Sequence, residues 1–216
     1  MERQVLEVAV VPDVLARWGD PMGALTPAER TRAEVFATPA LQEEFVAAHL
    51  LARECVARLE GCAPADVVIG QRCPDCGGEH GPPTVLDRPD AHVSWSHSHG
   101  WVAAAAAPVV VGVDLEAPRA TERPLEPGLL RRSATPAEAA LIAAAADPRA
   151  AFLRAWVLKE ALIKTGRVTL ADFSRTDVSA ALRPDAAPAV VLGCRVQLHP
   201  HPVVTVGTAT VEEHRE

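Results

Sequence analysis

Apolar and polar positions recur along the chain with enough regularity to divide it into elements. "VLEVAVVP" (Val5 to Pro12) is rich in β-branched residues and predicts a first strand. "TPAER" predicts a helix start, with Thr26 as N-cap and Pro27 at the first helical position. From Ala40 to Leu59, apolar residues at Leu41, Phe45, Ala48, Leu51, Cys55 and Leu59 step by three and four. That is the spacing of a long amphipathic helix, which Gly61 stops. "DVVIG" (Asp66 to Gly70) predicts a short buried strand, and Gln71 to Pro89 a loop rich in Gly, Pro, Cys and Asp. "HVSWSHSHGWVAAAAA" (His92 to Ala107) predicts a short strand, a polar turn, and a second apolar strand or helix. "VVVGVDLE" (Val109 to Glu116) predicts a β-branched strand.

The pattern then restarts. A proline-rich connection, Pro118 to Pro127, leads to "TPAEAALIAAAA", whose Thr135 opens a Thr-Pro-x-Glu cap. Pro148 starts a helix that runs to about Lys164 and ends at Gly166. "FSRTDVS", "AVVLGCRVQL" and "VVTVGTATV" are expected to be strands of a closing antiparallel meander. Strand, helices, strands thus occurs twice, which predicts an α+β fold of two similar halves, 1–108 and 109–216. There is no residue-level repeat between them, and a site at their seam near 108–112 is the natural expectation.

Composition narrows the classes. With 216 residues, 49% of them hydrophobic, the chain can bury a real core. A formal net charge of −7 disfavours general nucleic-acid binding, so an anionic ligand must be met by a local basic cluster or a metal. "MERQVLEVAVVPD" is too short for a secretion signal and no run reaches the length of a membrane span. The expectation is a soluble cytoplasmic protein, a monomer, without nucleic-acid or membrane partners. Five cysteines, an odd and sparse set, point to reduced thiols.

Four groups carry candidate chemistry. Asp114 and Glu116 are spaced i, i+2 and share one strand face, with Val111, Val113 and Leu115 on the other. Two adjacent carboxylates call for a cation, and oxygen-only ligands suit Mg²⁺; a solvated strand end is the alternative. Glu160 lies one helical turn past Trp156, with Lys164 one turn further on. It reads either as a third carboxylate for that metal or as half of a surface i, i+4 pair. "SWSHSHG" offers Ser94, Ser96, His97, Ser98 and His99, small polar donors that suit an anion or nucleotide, or a hydrogen-bonded turn. Cys73, Cys76 and His80 supply three of the four ligands of a structural zinc site; a loop with two free thiols is the preferred reading.

Three segments together, "SWSHSHGWVAAA", "VGVDLE" and "FLRAWVLKEALIKTGR", resemble the 4'-phosphopantetheinyl transferases of the surfactin-synthetase-activating type. In that family a Ser-His turn precedes an apolar strand, then come a Gly-(Val/Ile)-Asp-x-Glu strand and a Trp-x-x-Lys-Glu-(Ala/Ser)-x-x-Lys helix. Here the helix motif reads Trp156, Lys159, Glu160, Ala161 and Lys164. The resemblance implies a pseudo-dimeric fold with the site at the seam. It implies coenzyme A as donor, Mg²⁺ as cofactor, and the serine of an apo acyl- or peptidyl-carrier protein as acceptor, in polyketide or nonribosomal peptide biosynthesis. Asp114, Glu116 and Glu160 would hold the metal, with Glu160 and Lys159 catalytic. Arg32, Arg53, His80, Ser96, His97 and Lys164 would contact coenzyme A.

Two departures stand out. Glu43 and Glu44 occupy a stretch where the family carries basic residues. Gly81, Pro82 and Pro83 replace a Gly-Lys-Pro loop, which leaves His80 to stand in for the lysine. A non-catalytic binder of coenzyme A or a carrier protein, and an unrelated Mg²⁺-dependent phosphohydrolase, are the competing readings.

Overall fold

The computed structural model describes residues 3–73, 76–79, 81–118, 125–183 and 187–212. The chain divides into two compact units, Met1–Val110 and Val111–Glu216.

In the first unit, strand β1 (Val5–Val10) runs into a short helix α1 (Val11–Ala16). Helices α2 (Pro27–Glu34) and α3 (Pro39–Glu60) follow, then the short strands β2 (Ile69–Gln71) and β3 (Pro83–Val85), and the hairpin β4 (His92–Ser98) and β5 (Trp101–Ala107). The main sheet has the antiparallel order β1-β5-β4. Helix α3 packs on it: Val102, Ala104 and Ala106 of β5 share a core with Leu51, Cys55 and Val56. Small side chains on β5 let the helix come close enough for the Cys55 thiol to reach the Ala104 carbonyl at 3.4 Å. Gly61 adopts φ 72° and closes α3 in the left-handed conformation that favours glycine.

In the second unit, β6 (Val111–Glu116) leads to α4 (Pro127–Ser133), α5 (Pro136–Ala144) and α6 (Pro148–Lys164). Strands β7 (Ala189–Val191), β8 (Cys194–His199) and β9 (Thr205–Val211) complete an antiparallel sheet of order β6-β9-β8-β7. Helix α6 lies across it, and Leu158, Ala161 and Leu162 pack on Cys194, Val196 and Ala209. The helix comes close because Gly112 lies beneath it. A Cβ there would sit 1.9 Å from the Ala161 carbonyl oxygen. In each unit the first strand pairs with the last, β1 with β5 and β6 with β9.

Several expectations change. "DVVIG" forms a 3₁₀ turn over Pro64–Asp66 and the three-residue strand β2, not a buried five-residue strand; Val68 is exposed. The loop expected from Gln71 to Pro89 contains β3. The polar "turn" is mostly strand: Ser94 to Ser98 belong to β4, and the reversal is left to His99 and Gly100. "FSRTDVS" is not a strand but lies between two 3₁₀ turns. "AVVLGCRVQL" is a complete hairpin, β7 to β8. Helices α1 and α4 lack a clear periodic signal and are additions. Among the described residues, no helix is long and apolar enough to cross a membrane.

Both Thr-Pro-x-Glu caps form with their reciprocal hydrogen bonds. Thr26 accepts from the Glu29 N–H at 3.3 Å, and Glu29 Oε2 accepts from the Thr26 N–H at 2.8 Å. Thr135 and Glu138 repeat the arrangement at 3.3 and 2.8 Å. In each unit the capping glutamate also receives a cation from the long helix. Arg53 of α3 donates to Glu29 at 2.6 Å, and Lys159 of α6 donates to Glu138 at 2.6 Å. A carboxylate buried to finish a helix end needs a counter-charge, and each long helix provides one.

Candidate active site

The acids of β6 face helix α6. Alternation along the strand places Gly112, Asp114 and Glu116 on one side. Gly112 contacts α6, so the acidic side is the helix-covered one. Asp114 is 7% exposed, which removes the reading of a strand end dissolving into water. Glu160 stands half-buried on α6 and is electrostatically coupled to both strand acids. Burial first, then Asp114, push its carboxyl up; Lys164 opposes them, and Glu116 adds to the rise.

Lys164 is not simply the i, i+4 partner of Glu160 on a surface. Its Nζ crosses to the strand and donates to Asp114 Oδ1 and to the Val113 carbonyl, each at 2.8 Å. The second unit therefore pairs Lys164 with Asp114, and Glu160 feels the charges of Asp114, Lys164 and Glu116. That donor set fits a hard divalent cation: its ligands are oxygens, and its negative charge exceeds what Lys164 offsets. As they stand, no three acidic, histidine or cysteine side chains among the described residues form a ready metal-ligand group.

Lys159 does not join the cluster. It is 1% exposed, and its Nζ donates to the Ser133 carbonyl at 2.7 Å, to Glu138 at 2.6 Å and to the Phe173 carbonyl at 2.7 Å. An ammonium has three protons, and all three are committed. Lys159 braces α6 against the start of α5 and the segment around Phe173, which leaves no proton for a phosphate. Adjacent helical positions point about 100° apart, so Glu160 faces the sheet while Lys159 faces the other helices.

The first unit holds the remaining sequence candidates. Ser96 and His97 are neighbours on β4 and so project to opposite faces of the sheet. His97 Nδ1 lies 3.0 Å from Glu44 Oε2, and the ring keeps 34% of its surface open. Arg53 is 2% exposed and is bound to Glu29 and to the His49 carbonyl. Its guanidinium ties α2 to α3 from inside the fold, a bracing position rather than an exposed one. Arg32 is exposed, 5.8 Å from the Phe45 ring centroid, and both line a cavity of about 330 Å³ with Thr26, Ile69, Gln71 and Leu86. His80 lies outside the described residues, so its expected role and the third zinc ligand are not placed. None of the five cysteines, Cys73 and Cys76 included, is joined in a disulfide.

Sequence reasoning missed Glu44. It stands out there as an acid in place of a base, and its partner 53 positions away carries no local signal. Glu43 is exposed, whereas Glu44 is 9% exposed and turned into the fold.

Residues 110–205 match the family model described as the 4'-phosphopantetheinyl transferase superfamily. The match covers β6, α6 and all three acids. No curated protein matches the chain.

Proposed function

We propose that the chain transfers the 4'-phosphopantetheine moiety of coenzyme A to a serine hydroxyl of an apo acyl- or peptidyl-carrier protein, as a holo-carrier-protein synthase of the surfactin-synthetase-activating type. The observation that carries this reading is the acid–lysine cluster between β6 and α6, inside the segment that matches the superfamily.

The serine oxygen forms a bond to the β-phosphorus of coenzyme A. The anhydride bond breaks, and its electron pair leaves on 3',5'-ADP. Asp114, Glu116 and Glu160 are the residues that would hold Mg²⁺, which when bound supplies charge stabilisation at the diphosphate. Lys164, fixed on Asp114, brings a cation to the same place and offsets negative charge on the leaving group. Glu160 is the base candidate for the serine proton, because burial and neighbouring acids favour its protonated form. Its service as a ligand competes with that role. Arg32 and His97 are the side chains the first unit would offer to coenzyme A.

The test is intact mass after incubation with coenzyme A, Mg²⁺ and a panel of apo-carrier proteins. A gain of one phosphopantetheine on the carrier is expected. No gain on any carrier, with coenzyme A bound and unchanged, would favour a binding protein. Coenzyme A cleaved without carrier modification would favour a hydrolase.

A further inference from the structure

Alternate residues of β4 form a column, Val93, Trp95 and His97. The column looks onto α3. Val93 and Trp95 join the core with Phe45, and the Trp95 ring lies 4.7 Å from His49. His97 is the last member and meets Glu44. One carboxylate oxygen, Oε2, lies 3.0 Å from His97 Nδ1; the other, Oε1, accepts the Gly100 N–H at 2.6 Å. The Gly100 carbonyl in turn accepts the Val11 N–H at 2.9 Å. His99 and Gly100 form the hairpin reversal at φ 48° and 81°, a conformation that costs energy at His99 because it has a side chain. One buried carboxylate thus anchors both the turn and the ring that precedes it.

The exposures differ in a useful direction. The Glu44 side chain keeps 11% of its surface and His97 keeps 34%. With Nδ1 held from inside, Nε2 is the ring nitrogen left for a ligand. A ring donating from both nitrogens carries a positive charge, and the carboxylate behind it balances that charge locally.

We infer that Glu44 is the positioning residue for His97, fixing the imidazole through Nδ1 so that Nε2–H meets a phosphate oxygen of coenzyme A. This rests on the reading that the chain uses coenzyme A. It also gives a use to the acid found where the family carries a base: Glu44 does not face the nucleotide but holds the histidine that does.

Glu44→Gln, Glu44→Asp, His97→Gln and the Glu44→Gln/His97→Gln double variant, each in the full chain, test this. Thermal unfolding checks the fold, ring ¹⁵N NMR reads the protonation of each His97 nitrogen, and calorimetry reads coenzyme A binding. Glu44→Gln keeps an acceptor for Gly100 and is expected to fold. Its His97 ring signals change, and its coenzyme A dissociation constant rises about tenfold. In transfer assays the loss falls on KM for coenzyme A, with kcat nearly unchanged. Glu44→Asp recovers part of the affinity, and the double variant binds no worse than His97→Gln alone. Wild-type ring signals with wild-type affinity in Glu44→Gln, or additive losses in the double variant, overturn the inference. A wild-type chain that binds no coenzyme A sinks both readings. Binding without transfer to any carrier sinks the transferase reading alone.

Discussion

Lys164 reaches from the last turn of α6 to Asp114 on β6, fifty positions earlier in the chain, and closes a 2.8 Å ion pair there. It also caps the Val113 carbonyl, so one side chain fixes helix to strand and places a cation on the acid cluster.

Removing that cation should be felt in stability. In Lys164→Ala, Asp114, with its side chain 9% exposed, loses its counter-charge. The expected cost is about 1–3 kcal/mol, between that of an exposed and a buried pair, measured by urea unfolding without metal. Mg²⁺ should raise the melting temperature of the wild type and of Lys164→Ala, but not that of Asp114→Asn. Asp114→Asn should also slow transfer by about a hundredfold or more. An unchanged Mg²⁺ shift in Asp114→Asn would remove Asp114 from the ligand set.

Glu160 gives a pH signature. Its folded carboxyl is raised above the ordinary value of 4.5 by burial and by Asp114, so the fold binds the proton more tightly than the unfolded chain does. The contribution to stability is complete below the ordinary value and is lost as pH rises through the raised one. At neutral pH and without metal, Glu160→Gln is therefore expected to be more stable than the wild type, and its stability should vary less across that window. Denaturant midpoints measured from pH 4 upwards decide it; equal midpoints for the two proteins at every pH would refute the assignment.

Lys159 is expected to act through folding. Lys159→Ala leaves Glu138, 0% exposed, without its cation, at a cost of about 3–5 kcal/mol. Replacing both residues with apolar ones of similar size should recover much of that loss, and the recovered protein should regain transfer. A stable double variant with no transfer at all would restore a chemical role to Lys159.

Gly112→Ala tests the spacing beneath α6. The added Cβ would fall 1.9 Å from the Ala161 carbonyl oxygen, which belongs to the helix backbone and cannot rotate away. The helix must lift off β6, at a cost of about 1–3 kcal/mol or more. Transfer is expected to fall further than the loss of folded protein explains, since Glu160 and Lys164 ride on that helix. Circular dichroism melts beside transfer rates give the comparison.

Local chemistry made much of the fold readable. Thr26-Pro27 and Thr135-Pro136 announce helix starts because cap, fixed proline φ and glutamate act within four residues. Gly61 and Gly166 mark helix ends because their left-handed backbone is a property of the position itself. The acid pair on β6 and the acid–lysine turn of α6 are likewise local spacings, and the structure couples them electrostatically.

What the chain alone left open was settled by partners distant in sequence. "WVAAAAA" has the residue of highest helix propensity, yet it forms the central strand, because β1 and β4 satisfy its backbone and α3 requires a small-residue surface. Lys159 and Arg53 look like free cations for a phosphate until Glu138 and Glu29 bury them. Glu44 looks like a misplaced acid until the hairpin brings His97 and Gly100 to it. The sequence by itself determined where α2 and α5 begin and where α3 and α6 end, because caps and helix-closing glycines depend on neighbours along the chain. Which charges are buried as braces and which stay available for chemistry was decided only by the tertiary structure, because a side chain's counter-charge is supplied by whatever the fold packs against it.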